Sequence, residues 1–348
     1  MNGAAASSPS ALVHSLPKVQ LHCHLEGTLA AASFLELAEK CGLQSERALG
    51  GPERAYAHAN FREFLLTFAE VCRVLAEPDD FARLAREFAR AARAQNVRHA
   101  EVFVSPSVWA FFHRNLDASA ALAAIVAAFR AEDLSAALIV DLTRNFGLER
   151  AQEAVAQALA WAENGFPVVG IGLGGDEANF PAEMFSEPFA RARAAGLHAV
   201  AHAGEAAGAA SVRAAVELLG AERIGHGIRV LEDAAVVGLL RERGVTLEVC
   251  PTSNYRTGVV AAAEVHPLGA LLAAGLPCAL DADDPALFET TLEREYAFVE
   301  TTLGSEAALR CARAAISGSF ASAERQAAWL AELAACERAH GTAWAAPN

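Results

Sequence analysis

The sequence predicts an α/β fold, a (β/α)8 TIM barrel with extra helices between its first two strands and a helical segment after its last. Three observations carry this expectation. Eight short apolar or β-branched runs recur along the chain, longer Ala/Leu/Glu/Arg-rich stretches of helical period separate them, and most residues able to hold a metal fall where those runs end. Strands that alternate with helices pair in parallel through crossover connections, and eight such units close into a barrel with the helices outside. An open, doubly wound sheet is the competing arrangement.

The first strand is read at VQLHC (19–23). The connection from about 24 to 98 is far longer than a loop, so it must carry helices of its own. Phe61, Phe64 and Phe68 fall there at i, i+3 and i+7, an apolar stripe that either packs into the core or roofs the mouth of the barrel. The next strands are read at HAEVFV (99–104), ALIVDL (137–142), VVGIGL (168–173), HAVAHA (198–203), RIGHG (223–227), VTLEVC (245–250) and CALDA (278–282). Residues 286–338 read as helical throughout, with no Pro/Gly/Ser linker before them. One domain over 15–339 is expected, between loosely ordered ends at 1–14 and 340–348, and no internal repeat is visible.

Composition narrows the function classes. With 348 residues and 53% apolar content the chain can bury a large core, which excludes disorder. A net charge of −14 without a Lys/Arg cluster removes the counterion-releasing surface that nucleic acid needs. Seven cysteines, odd in number and without a C-x-x-C pair, suggest neither a disulfide framework nor a zinc knuckle. No leader-like start and no uninterrupted apolar stretch near ~18 residues is seen. A protein of the reducing cytoplasm is expected, with no membrane partner.

The active site of such a barrel lies at the C-terminal ends of its strands. His22 and His24 end the first strand, and alternation puts both imidazoles on one face. Taken singly, each is an ordinary hydrogen-bonded rim histidine; the pair at a strand end points to an ion. His202 ends the fifth strand, and the Gly after Ala203 lets Glu205 turn back over the site as a general acid/base. The plain alternative for Glu205 is a first-turn carboxylate of the next helix. His226 ends the sixth strand between two glycines that leave room for a ligand, unless it is simply a buried histidine bonded to a carbonyl. Asp141 is another polar residue on this rim. Asp283 and Asp284 precede Pro285, where helix capping accounts for one acid only. Two adjacent acids in a low-dielectric mouth call for a cation, with Asp283 as its ligand. The only lysines are Lys18 and Lys40, neither at the end of the fourth strand, where two-metal amidohydrolase barrels carry a bridging carbamylated lysine. One metal is expected, and three nitrogens with one carboxylate suit Zn²⁺.

The motifs LPKVQLHCHLEGTL (16–29), EVFVSP (101–106), GGDEANFP (174–181), HAGEAAG (202–208), ERIGHGIRVLED (222–233), CPTSN (250–254), HPL (266–268) and DDP (283–285) follow one another along most of the chain. In that order they resemble the landmarks of the adenosine deaminase family of mononuclear zinc barrels. The resemblance implies one zinc held by His22, His24, His202 and Asp283. It implies that Glu205 protonates purine N1, that His226 orients the attacking hydroxide with help from Asp283, that Asp284 bonds N7, and that the Gly175 backbone serves N3. Phe64, Leu65 and Phe68 match the apolar gate that closes over the substrate. The implied reaction is hydrolytic deamination of a 6-aminopurine nucleoside, adenosine or 2′-deoxyadenosine, to the inosine product and ammonia.

Departures from the adenosine pattern concern the substrate. Glu26 stands where adenosine enzymes carry Asp beside the ribose, Phe103 where they carry Arg, and Gly172 where they carry an acid. Glu26 is similar to branches acting on adenine or aminodeoxyfutalosine, whereas C-P-T-S-N is not the C-P-L-S-N expected of the adenine branch. A nucleoside is therefore expected, with Glu26 on its sugar side, and aminodeoxyfutalosine or adenine is the alternative. Hydrolysis of an amide, lactone or phosphoester and a catalytically dead binding barrel are the competing classes. Editing of polynucleotides lacks its H-x-E and P-C-x-x-C signature.

Overall fold

The computed structural model describes residues 9–341. Its centre is an eight-stranded parallel sheet in the order β1 to β8. The strands are β1 (Lys18–Gln20), β2 (Val97–Val104), β3 (Ala136–Thr143), β4 (Val168–Gly174), β5 (His198–Ala203), β6 (Arg223–His226), β7 (Thr246–Val249) and β8 (Cys278–Leu280). The ring closes between β8 and β1, where His24 N donates to Asp283 O at 2.9 Å and Asp283 N donates to His22 O at 3.1 Å. Residues expected at the active site thus form the seam of the barrel.

Each expected strand is present, and the first and last are shorter than expected. Past Gln20, the amides of Leu21 and His22 donate to Asp281 Oδ1 at 2.6 and 2.9 Å, so a side chain replaces the ladder there. The long connection after β1 carries several helices, including Phe61–Val74 and Pro78–Ala94. After β8 come Leu292–Leu303, Ser305–Gly318 and Ala323–Ala339. The N-terminal expectation needs correction. Residues 11–15 form a helix capped by Ser10, because Leu12 and Val13 are buried and Lys18 Nζ ties the carbonyls of Val13 and Leu16 to the start of β1. His340 and Gly341 end in a turn, with His340 Nε2 bonded to Ser15 Oγ; the rest of both expected loose ends, 1–8 and 342–348, lies outside the described residues.

Inside the barrel, Phe103, Ile139 and Val200 make an apolar layer. Arg223, fully buried, is paired with Glu101 and with Glu248 Oε1. Removing one partner of such a network leaves an uncompensated buried charge, at a cost of about 3–5 kcal/mol. Lys18 sits far from the rim that holds the histidines, at the other end of β1, so it is no candidate for a metal bridge. Among the described residues, no helix is long and apolar enough to cross a membrane.

Candidate active site

His22, His24, His202 and Asp283 converge at the C-terminal mouth. His22 Nε2 and His24 Nε2 lie 3.4 and 3.5 Å from Asp283 Oδ1, and His24 Nε2 is 3.2 Å from His202 Nε2. The outer nitrogens decide what the inner ones offer. His202 Nδ1 donates to the Leu173 carbonyl at 3.1 Å and His22 Nδ1 to Glu248 Oε2 at 2.7 Å, which leaves a bare Nε2 lone pair on each ring aimed at the common centre. His22 Nε2 is buried with no hydrogen-bond partner. Burial, with the neighbouring imidazoles, keeps His202 well below the ordinary histidine range and brings His24 to about 4, so both stay neutral. Around Asp283 burial opposes ionisation, but the neighbouring His22, His226 and His24 imidazoles outweigh it and hold the carboxyl well below its usual range. At His22 burial is outweighed by Asp283 and Glu248, which raise its pKa well above the ordinary range. Three imidazole nitrogens around a carboxylate are a donor set that fits Zn²⁺, which would take the place of the His22 proton.

The acid–base pair stands beside this centre. Glu205 Oε2 is 3.6 Å from His226 Nε2. Burial first, then the charges of Asp283 and Glu177, push the Glu205 carboxyl well above the usual range, which favours its protonated form. Its loop is shaped by Glu177, whose carboxylate accepts from the amides of Gly204, Glu205, Ala206 and Ala207. His226 and Asp283 both adopt left-handed backbone, at φ 63° and 58°. Such strain costs of order 1–3 kcal/mol each and persists where the surroundings over-determine the geometry. The glycine before His226 serves a different purpose from the one expected: a Cβ on Gly225 would lie 2.7 Å from His22 Cε1, so the space belongs to the His22 ring.

After β7, Pro251 starts the short helix Pro251–Arg256 at once, which turns Ser253 and Asn254 back over the mouth. Ser253 Oγ donates to Asp283 Oδ2 at 2.7 Å, and Asn254 Nδ2 lies 3.0 Å from His226 Nδ1.

A cavity of about 220 Å³ opens above these groups. Phe64, Leu65 and Phe68 of the helix Phe61–Val74 line it, as do His24, His202, Glu205, His226, Asp283, Asp284 and Gly175. Asp141, at the end of β3, lines it too, with Oδ1 buried and unpartnered; burial, then the charge of Glu26, raises its pKa to about 7. Burial and the adjacent Asp283 raise Asp284 well above the usual range. Glu26 lies behind the wall: it is fully buried, and its Oε1 accepts from Ser105 N and from Trp109 Nε1.

The candidate site residues singled out in the sequence, apart from His22 and Glu26, therefore border one cavity, and His22 is fully buried beside His24 and Asp283. The sequence reading missed Glu177, Glu248, Ser253 and Asn254, and left Asp141 without a role. Glu177, Ser253 and Asn254 stand inside motifs quoted above, G-G-D-E and C-P-T-S-N, which was the available signal; Glu248 had none.

A family model described as adenosine deaminase matches residues 17–336. The chain belongs to the adenosine deaminase family. It is 37% identical over 332 residues to an adenine deaminase of Rhodospirillum rubrum, covering 93% of this chain and 98% of that one. It is 36% identical over 309 residues to an aminodeoxyfutalosine deaminase of Acidothermus cellulolyticus, covering 84% and 85%. Among solved structures, an amidohydrolase of Burkholderia ambifaria with bound zinc superposes with a TM-score of 0.84 at 29% identity, covering 99% and 97%. The protein is thus a hydrolase acting on C–N bonds, a deaminase of adenine-type substrates from a metal-dependent family. The expectation of an adenosine-type nucleoside finds no support in these two named relatives, which match the alternatives, adenine and aminodeoxyfutalosine, instead.

Proposed function

We propose that the protein deaminates adenine to hypoxanthine with one zinc ion held by His22, His24, His202 and Asp283. The observation that carries the reaction is the convergence of those four groups beside the buried Glu205, beneath an apolar cavity. Zinc, when bound, supplies the Lewis acidity that makes water a nucleophile at neutral pH. The remaining chemistry belongs to the chain. An aromatic amidine carbon is a poor electrophile until its ring nitrogen is protonated, and Glu205 donates that proton to N1. His226 faces the attacking oxygen, with Asp283 beside it. Asp284, whose burial favours the protonated form, donates to N7, and the Gly175 backbone meets N3. Water adds at C6, a proton passes to the amino group, and ammonia leaves. Phe64, Leu65 and Phe68 keep bulk water from the ring.

The free base is favoured by the sector around N9. Round the ring, N9 lies between N3 and N7; round the barrel, β3 lies between β4, next to Gly175, and the β8–β1 seam, next to Asp284. Asp141 occupies that sector with an unpartnered oxygen and so suits the N9–H of adenine. Glu26 does not line the cavity: its Oε1 is held by Ser105 and Trp109, and its Oε2 is buried without a hydrogen-bond partner. Aminodeoxyfutalosine is the second reading, favoured by the Acidothermus relative. Ammonia release from adenine, aminodeoxyfutalosine and adenosine by zinc-loaded protein separates them: adenine should have the highest kcat/KM, and a higher value for either 9-substituted compound would displace this reading.

A further inference from the structure

Ligand spacing alone does not say which imidazole stays off the metal, because His226 groups with His22, His202 and Asp283 as readily as His24 groups with the two aspartates. A chain of hydrogen bonds from outside the site resolves this. Leu268 N donates to His266 Nδ1 at 3.2 Å. A backbone amide can only donate, so His266 Nδ1 is the bare nitrogen and the proton is on Nε2. Burial draws the His266 pKa down to about 4, so the ring carries no second proton at neutral pH. His266 Nε2 lies 3.1 Å from Asn254 Oδ1 and donates to it. The Asn254 amide is thereby oriented, and its Nδ2 donates to His226 Nδ1 at 3.0 Å. With Nδ1 accepting, His226 carries its proton on Nε2, the nitrogen that faces Glu205 at 3.6 Å and Asp283 at 3.9 Å. His22 and His202 are set the opposite way, with Nδ1 donating and Nε2 bare.

We infer that Asn254 and His266 are positioning residues that hold His226 as its Nε2–H tautomer, which bars it from the metal and makes it a hydrogen-bond donor to the attacking oxygen. Asn254 of the C-P-T-S-N motif and His266 of the H-P-L motif supply this relay. The tautomer follows from the hydrogen bonds alone; only its catalytic target rests on the deaminase reading.

The test uses zinc-loaded protein with ¹⁵N-labelled histidine. Long-range ¹H–¹⁵N spectra, with the His226 signals assigned by their loss in His226→Gln, should show His226 protonated at Nε2. Asn254→Asp replaces the donor by an acceptor of the same shape and should move that proton to Nδ1. It should lower kcat by ~10–10²-fold, the usual range for partners outside a metal's own ligands, with KM within about twofold. His266→Gln keeps an N–H toward Asn254 and should retain tautomer and rate, whereas His266→Leu should lose both; this pair decides the matter if Asn254→Asp does not fold. An Nδ1–H tautomer in the unaltered protein, an unchanged His226 spectrum in Asn254→Asp, or equal losses in the two His266 variants would overturn the inference. The spectra need no substrate, so failure to deaminate adenine would leave this test standing.

Discussion

The ring of Phe103 fills the space that a side chain at position 172 would need: a Cβ on Gly172 would lie 2.5 Å from Phe103 Cε1. Two departures from the adenosine-type pattern, Phe103 for Arg and Gly172 for an acid, are therefore one compensated change. The ring stacks on His24 at 5.0 Å and lies 4.9 Å from His22, so the first two proposed ligands rest on an apolar support. The acid has a counterpart one strand away, because Asp141 is the register partner of Gly172.

Gly172→Ala should destabilise the fold by ~1–3 kcal/mol, the ordinary cost of overpacking a filled core. Combined with Phe103→Leu, the loss should be less than the sum of the two single losses, since Leu yields the space. Urea unfolding of the four proteins in the cycle measures the coupling; strict additivity would mean that the two positions do not interact.

Glu205→Gln should keep the fold and the metal while lowering kcat by at least ~10², the low end for a positioned acid/base. The amide cannot pass its proton to N1. Steady-state kinetics with elemental analysis check this, and near-normal turnover would assign the proton to another group.

His22→Ala should lose tightly held zinc, and His226→Ala should keep it while losing activity. The contrast follows from the bare Nε2 of His22 and the donor role of His226. Elemental analysis after dialysis against a chelator separates them; equal zinc loss would make His226 a ligand.

Asp141→Ala should lower kcat/KM for adenine by about one to two decades, the value of ~1.5–3 kcal/mol for a hydrogen bond to a charged group. Turnover of 9-methyladenine, which has no N9–H, should change by less than about threefold. An equal fall on both compounds would remove Asp141 from base recognition.

Much of the architecture was legible because hydrophobic runs, strand alternation and motif order are local signals. His22 and His24 share a face by the alternation of a strand, and Glu205 returns through the turn at Gly204. What escaped is non-local. The N-terminal helix is held through Lys18, whose Nζ joins the Val13 carbonyl to that of Gln95, 77 positions beyond Lys18. The burial of Glu26 depends on Trp109, 83 positions away. Glu248 earns its place through His22, across 226 positions, and reads in sequence as one acid among many.

The most direct test of the account is the formation of hypoxanthine from adenine as zinc is added back to metal-free protein. The expected result is activity that rises in proportion to zinc and levels off at one equivalent per chain. No hypoxanthine at any loading, or a plateau reached only at two equivalents, would contradict it.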